Sequence, residues 1–131
     1  MAHHNNIGKS GEQLAKEYLT ARGYAIRDQN WRSGKYELDI VAMDGLQLVV
    51  VEVKTRSTHE YGDPEDFIKP SKIRNIVNAA DCYLQKLGHP LEVRFDVISV
   101  ILNHEESDDY TIEHIKDAFM PGIQNTRSYG F

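Results

Sequence analysis

Residues 36–56 read YELDIVAMDGLQLVVVEVKTR, and the division of this stretch decides the fold. Leu38, Ile40 and Ala42 alternate with Glu37, Asp39 and Val41, the period of two that a strand imposes on its side chains. Asp44-Gly45 is a turn signal of the kind that joins antiparallel strands. The strand that follows, 46–55, is LQLVVVEVKT. Its density of β-branched residues fits a central strand covered on both faces. Two hairpin registers are open. With a four-residue turn at 44–47, Met43 pairs with Leu48 and Asp39 lies opposite Glu52. With Asp44-Gly45 alone as the turn, Glu37 lies opposite Glu52 and Asp39 is diagonal to it. In both registers Asp39, Glu52 and Lys54 share one face unless a bulge shifts the alternation.

That face carries the chemistry. Glu52 is embedded in VVVEVK, within the most apolar strand of the chain. Two carboxylates brought within about 5–7 Å repel one another, and partial burial raises the penalty. A hard cation removes both costs. Mg2+ takes oxygen ligands, and Asp39, Glu52 and the Val53 carbonyl are the candidates. Lys54 points at the same space, where it would orient or help deprotonate a water, or neutralise charge on a phosphoryl group. The same spacing also fits an ion pair of Lys54 with Glu52 or Asp39 that only balances charge. Glu12 is a further candidate carboxylate, although an acid in the first turn of a helix also serves the helix dipole.

Working outward, Ser10 or Gly8 starts a helix carrying Leu14, Ala15, Tyr18 and Leu19 at helical spacing, and Gly23 stops it. YAIRDQNW, residues 24–31, reads as a strand running into a turn at Ser33-Gly34. A loop over 56–69 leads to a second helix opened by Pro70-Ser71, with serine as its cap. Ile73, Ile76, Val77, Ala80, Tyr83, Leu84 and Leu87 form the apolar stripe of that helix, and Gly88 and Pro90 end it. VRFDVISVIL at 93–102 is a buried strand. YTIEHI at 110–115 is a short edge strand, and KDAF continues it as a helical turn. The order predicts an α/β fold, a sandwich of helices around a central mixed β-sheet. Residues 1–7 are expected to be flexible, 8–119 to form one domain, and 120–131 to be a tail.

The chain has 131 residues, a length suited to one domain. One cysteine, Cys82, excludes a disulfide framework and a cysteine-rich metal site. No run approaches the roughly 20 apolar residues of a membrane span, and MAHHNNIGKSGEQ lacks the apolar core of a secretory signal. A cytoplasmic protein with no membrane partner is expected. The net charge of −5 argues against broad nonspecific affinity for nucleic acid. Its distribution matters more. Residues 1–56 carry 8 basic and 7 acidic side chains, whereas residues 92–131 carry 3 and 8. The excess acid gathers in EESDD at 105–109, a solvated loop by composition. The first two thirds of the chain are left able to present a basic face.

Four segments, GKSGEQLAKEYLTARGYAIRDQNWR, YELDIVAMDGLQLVVVEVKTR, YGDPEDFIKPSKIRNIVNAADCYL and VRFDVISV, resemble the YraN-like proteins, a widespread and largely uncharacterised bacterial family. The resemblance covers about residues 8–102, with the pieces in the right order. The fold of that family is similar to that of restriction endonucleases and archaeal Holliday-junction resolvases. The resemblance therefore implies a restriction-endonuclease-like core of the PD-(D/E)xK type. Asp39 falls on its first acidic position, Glu52 and Lys54 on its ExK half, and Glu12 on the helical glutamate of the resolvase-like branch. Leu38 stands where some relatives have proline, and Tyr36 where many have glycine. Fold is implied more firmly than activity.

A metal-dependent nuclease hydrolysing DNA phosphodiester bonds, in branched or structured DNA, is the reading this implies, with Mg2+ or Mn2+ as cofactor. Arg56, Lys69, Lys72 and Arg74 are the candidate phosphate contacts, and Lys72 lies just inside a helix N-terminus. Arg22, Arg27, Arg32 and Lys35 would extend the positive surface. The alternative is a non-catalytic nucleic-acid-binding or protein-interaction module that keeps the fold, favoured by the modest basic content and the acidic C-terminal third. A nucleotide-binding enzyme is disfavoured, because no glycine-rich phosphate loop follows a strand. Tyr110, Phe119, Tyr129 and Phe131 are candidate homodimer contacts, and a protein partner is a second candidate source of DNA affinity. Trp31 is expected to be a core lid, Asp96 to pair with Arg94, and Glu37 to pair with a neighbouring base. Tyr61 and Gly62 are expected to border the site. The six histidines, His3, His4, His59, His89, His104 and His114, are expected to face solvent.

Overall fold

The computed structural model describes residues 9–57, 68–102 and 109–119. Helix α1 spans Gly11–Ala21, followed by strands β1 (Ala25–Ser33), β2 (Tyr36–Asp44) and β3 (Gln47–Ser57). Helix α2 (Pro70–Leu87) then leads to β4 (Val93–Leu102) and β5 (Tyr110–Ile115). The strands form one sheet in the order β1-β2-β3-β4-β5. Only β3 and β4 run parallel, and α2 makes the crossover between them. The sheet is mixed and is flanked by the two helices, the α/β sandwich that the resemblance implies. Among the described residues, no helix is long and apolar enough to cross a membrane.

The alternation in β3 distributes its side chains between two cores. Val49 and Val51 pack with Leu14, Ala15 and Leu19 of α1, whereas Leu48 and Val50 pack with Ile76, Ala79, Ala80 and Tyr83 of α2. A strand covered on both sides must be apolar on both sides, which accounts for the run VVV. The same alternation puts Glu52 on the α2 side, at the end of that apolar row.

The hairpin adopts the first of the two registers, with Met43 opposite Leu48 and Asp44 opposite Gln47. Gly45 takes φ +64, and glycine at the first central position suits a two-residue hairpin turn. Leu46, placed at the start of the strand 46–55, is instead the other central turn residue and is 90% exposed.

Ser10 caps α1 by accepting the Gln13 N–H at 3.0 Å. The cap of α2 is Lys69, with no side-chain hydrogen bond, and not Ser71. Pro70 at the first helical position needs no N–H partner, so the helix starts there and Ser71 falls inside it. The segment after β5 also differs from expectation. Asp117 takes φ +53, which ends any helical turn. The Ala118 N–H then donates to the Phe95 carbonyl at 2.8 Å, and Phe119 stacks on Phe95.

Candidate active site

The site forms where β2 parts from β3. Their ladder ends at Ile40 and Val51. Two residues further along β3, the Val53 N–H donates to Asp39 Oδ2 at 2.9 Å. A side chain thus takes the place of a strand partner. In a strand the N–H and C=O of one residue leave on the same side, so the Val53 carbonyl opens toward this gap as well. Glu52 is 7% exposed. It lies within hydrogen-bonding reach of Asp39, and its Oε2 is 3.4 Å from Lys72 Nζ. Lys54, half-buried, sits beside Ser99 in the β3–β4 ladder.

Both helices deliver a side chain to this point. The start of α1 lies against the end of β3 so closely that a Cβ on Gly11 would overlap the Thr55 hydroxyl. A side chain at this position would have to displace that of Thr55, which favours glycine at the close approach. The next residue, Glu12, is held within electrostatic range of Asp39. From the opposite face, the first turn of α2 supplies Lys72.

The electrostatics show a pair of acids in an unfavourable place. Burial pushes the Asp39 carboxyl up, against the Val53 N–H and Lys72, which pull it down. Burial, and then the charge of Asp39, push Glu52 up to about 7, and Lys72 opposes this. Glu12 is raised as well, by burial and then by Asp39, while the Asn30 side chain lowers it. Both carboxyls thus stay raised, and Lys72 offsets only part of the cost of burying them together.

Such a donor set fits a hard divalent cation. Carboxylates in this position gain most from one, because it removes the repulsion and replaces the lost hydration. Among the described residues, no group of three or more His, Cys, Asp or Glu side chains is gathered so as to hold a metal. Asp39 and Glu52 would hold the ion with waters or phosphate oxygens completing its shell, the mode usual for Mg2+.

The other expected residues are more dispersed. Lys69 and Arg74 are exposed on the first turns of α2, and Arg56 is half-buried toward the end of β3. Lys72, expected to contact phosphate, reaches Glu52. Arg32 pairs with Glu37 at 3.4 Å, Arg27 donates to the Tyr83 hydroxyl at 3.1 Å, and Lys35 lies over the Tyr36 ring. Trp31 packs edge-on against Tyr83 as a core lid. Arg94 binds Asp96 through two nitrogens, each at 2.9 Å. His114 does not face solvent: its Nε2 lies 2.7 Å from Asp96 Oδ2 and its side chain is 5% exposed. The β4–β5 pairing brings these two together across 18 residues of sequence, a contact that local pattern cannot reveal. Tyr61, Gly62, Tyr129, Phe131, His3, His4, His59 and His104 lie outside the described residues. One residue at the site had no motif to announce it. Asn30, in β1, takes φ +50 and acts on Glu12.

The profile of the Uncharacterised protein family UPF0102 matches residues 11–100. A UPF0102 protein of Phocaeicola vulgatus is 49% identical over 123 residues, covering 94% of this chain and 99% of that one. One from Bacteroides fragilis is 48% identical over the same length. One from Christiangramia forsetii is 48% identical over 119 residues, 91% of this chain and 98% of its own.

Proposed function

This chain belongs to the uncharacterised family UPF0102, and from that premise and the geometry of its buried acids we propose that it is a metal-dependent nuclease that hydrolyses DNA phosphodiester bonds. The observation that carries the reading is the Asp39–Glu52 pair. Two carboxyls, both raised by burial, meet where the sheet opens, with a lysine two residues along the same strand. A fold spends stability on such a pair where a ligand relieves it.

In this reading Asp39 and Glu52 would hold a Mg2+ or Mn2+ ion through their oxygens, with the Val53 carbonyl as a further candidate, and the ion would supply Lewis-acid activation of a phosphoryl oxygen and of water. The Val53 N–H fixes the Asp39 rotamer, leaving Oδ1 to turn toward the ligand. Lys54 orients the attacking water and offsets charge on the phosphoryl group. Lys72 balances Glu52 in the free protein, and a phosphate entering the site competes for its ammonium. Glu12 supplies a further acceptor for water at the edge of the site. Arg56, Lys69 and Arg74 hold the DNA backbone on the α2 side. Branched DNA is the substrate class put forward, on the likeness to junction resolvases alone.

The test is cleavage of labelled linear, flapped and four-way-junction DNA by purified protein in Mg2+, Mn2+ or EDTA. Wild type is expected to cut only with metal. Asp39→Asn and Glu52→Gln should each lose roughly a thousandfold or more, the scale of several kcal/mol of transition-state stabilisation. A variant that cuts as fast as wild type overturns the assignment. A folded wild type that binds DNA without metal and cuts none of these substrates favours the second reading, a binding module that retains the fold. The net charge of −5 is the observation on that side.

A further inference from the structure

Asn30 occupies a position in β1 that an ordinary strand residue does not. Its φ is +50, and besides Asp117 it is the only non-glycine with positive φ among the described residues. Asparagine tolerates this conformation better than most side chains. The flanking β1–β2 pairs are Gln29 with Ile40 and Trp31 with Leu38, so Asn30 lies opposite Asp39.

The alternation of both strands breaks at the level of this left-handed residue. In β1 the in-out pattern breaks here, with the neighbours Gln29 and Asn30 both exposed, where a regular strand turns one of two neighbours inward. In β2, Ile40 and Ala42 face α1, whereas Leu38 joins the core under α2. Both strands thus roll over at the Asn30–Asp39 level. Asp39 is thereby turned out of the regular face pattern and into the gap beside β3, where it meets the Val53 N–H. The Asn30 side chain also acts on Glu12, the acid that α1 brings to Asp39.

We propose that Asn30 is a positioning residue of the cation site: its left-handed backbone aims Asp39 into the β2–β3 gap, and its amide holds Glu12 toward the same point. This rests on the reading of Asp39 and Glu52 as cation ligands. The two contributions separate by substitution. Asn30→Gly keeps the left-handed backbone and removes the amide. Asn30→Val opposes the backbone, because a β-branched residue resists positive φ.

Mn2+ affinity, measured by calorimetry, is the first readout, with unfolding curves to compare folded populations. Asn30→Val should weaken Mn2+ binding roughly tenfold to a hundredfold, as loss of a group that orients a metal ligand does. Asn30→Gly should weaken it only as much as Glu12→Gln, and the double variant should be no weaker than either single one. Additive losses in that cycle overturn the role of the amide. Wild-type affinity in both Asn30 variants, with affinity lost in Asp39→Asn, overturns the inference while leaving the site intact. If Asn30→Val does not fold, the glycine cycle alone decides. Wild type that binds no Mn2+ overturns the reading of the site itself, and this inference with it.

Discussion

Among the described residues, acids are buried in two places, and the protein treats them in opposite ways. Asp96, fully enclosed at 0% exposure, accepts from Arg94, His114 and the Asp117 N–H. Arg94 is in turn held by Asp44, Gln47 and Tyr24. Burial raises the Asp96 carboxyl, but hydrogen bonds from His114, Arg94 and Asp117 outweigh it and leave it below the usual range. Asp39 and Glu52 have burial, each other, one backbone N–H and one exposed lysine, and both are raised. The Asp96 cluster is complete within the protein, whereas in the proposed reading a bound cation completes the Asp39 pair. Burial of charge alone thus does not mark a functional site. What marks it is burial without enough partners.

The comparison breaks most readily at Asp96. Asp96→Ala leaves Arg94 buried without its main partner, and chemical denaturation should report a loss of roughly 3–5 kcal/mol. A loss under about 1 kcal/mol would mean that the network is replaceable. Glu52→Gln should act in the other direction. With metal removed at pH 8, it should stabilise the fold by about 1–3 kcal/mol, since each unit of pKa shift is about 1.4 kcal/mol. The sign follows from the folded carboxyl binding its proton more tightly than the unfolded one. Metal-free wild type should lose stability as pH rises from 4.5 toward about 7, a slope that Glu52→Gln removes. Asp96 has the reverse slope, because its lowered carboxyl contributes stability that is lost only in acid. Ser99 gives the smallest effect. Its hydroxyl is fully buried with no hydrogen-bond partner among the described residues, and Ser99→Ala should raise stability by about 1 kcal/mol in thermal unfolding. A clear loss there would show that the hydroxyl has a partner in solution.

Much of this was legible in the chain itself. The apolar run at 48–51 and the hairpin signal set the register that brings Asp39 near Glu52, because register is a local property, whereas the break in alternation at Asp39 was not legible. Pro70 and Gly88 bounded α2 for similarly local reasons. The parts that were not legible depend on distant elements. Lys72 reaches Glu52 only because α2 packs across the sheet, and His114 meets Asp96 only through the pairing of β5 with β4. The φ of Asn30 leaves no trace in composition, since asparagine is common in ordinary loops. Leu46 misled because an apolar side chain in a tight turn obeys the backbone of the turn and not its own hydropathy.

The most direct test of the central claim is the unfolding free energy of wild type and the Asp39→Asn/Glu52→Gln variant at pH 8, in EDTA and in millimolar Mn2+. A ligand that binds only the folded protein stabilises it by RT ln(1 + L/Kd), which grows with the free ligand concentration L. We expect Mn2+ to stabilise wild type and leave the variant unchanged, with the variant the more stable of the two in EDTA. Equal shifts in both proteins, or none in wild type, would contradict the account, because the buried pair would then not be a cation site.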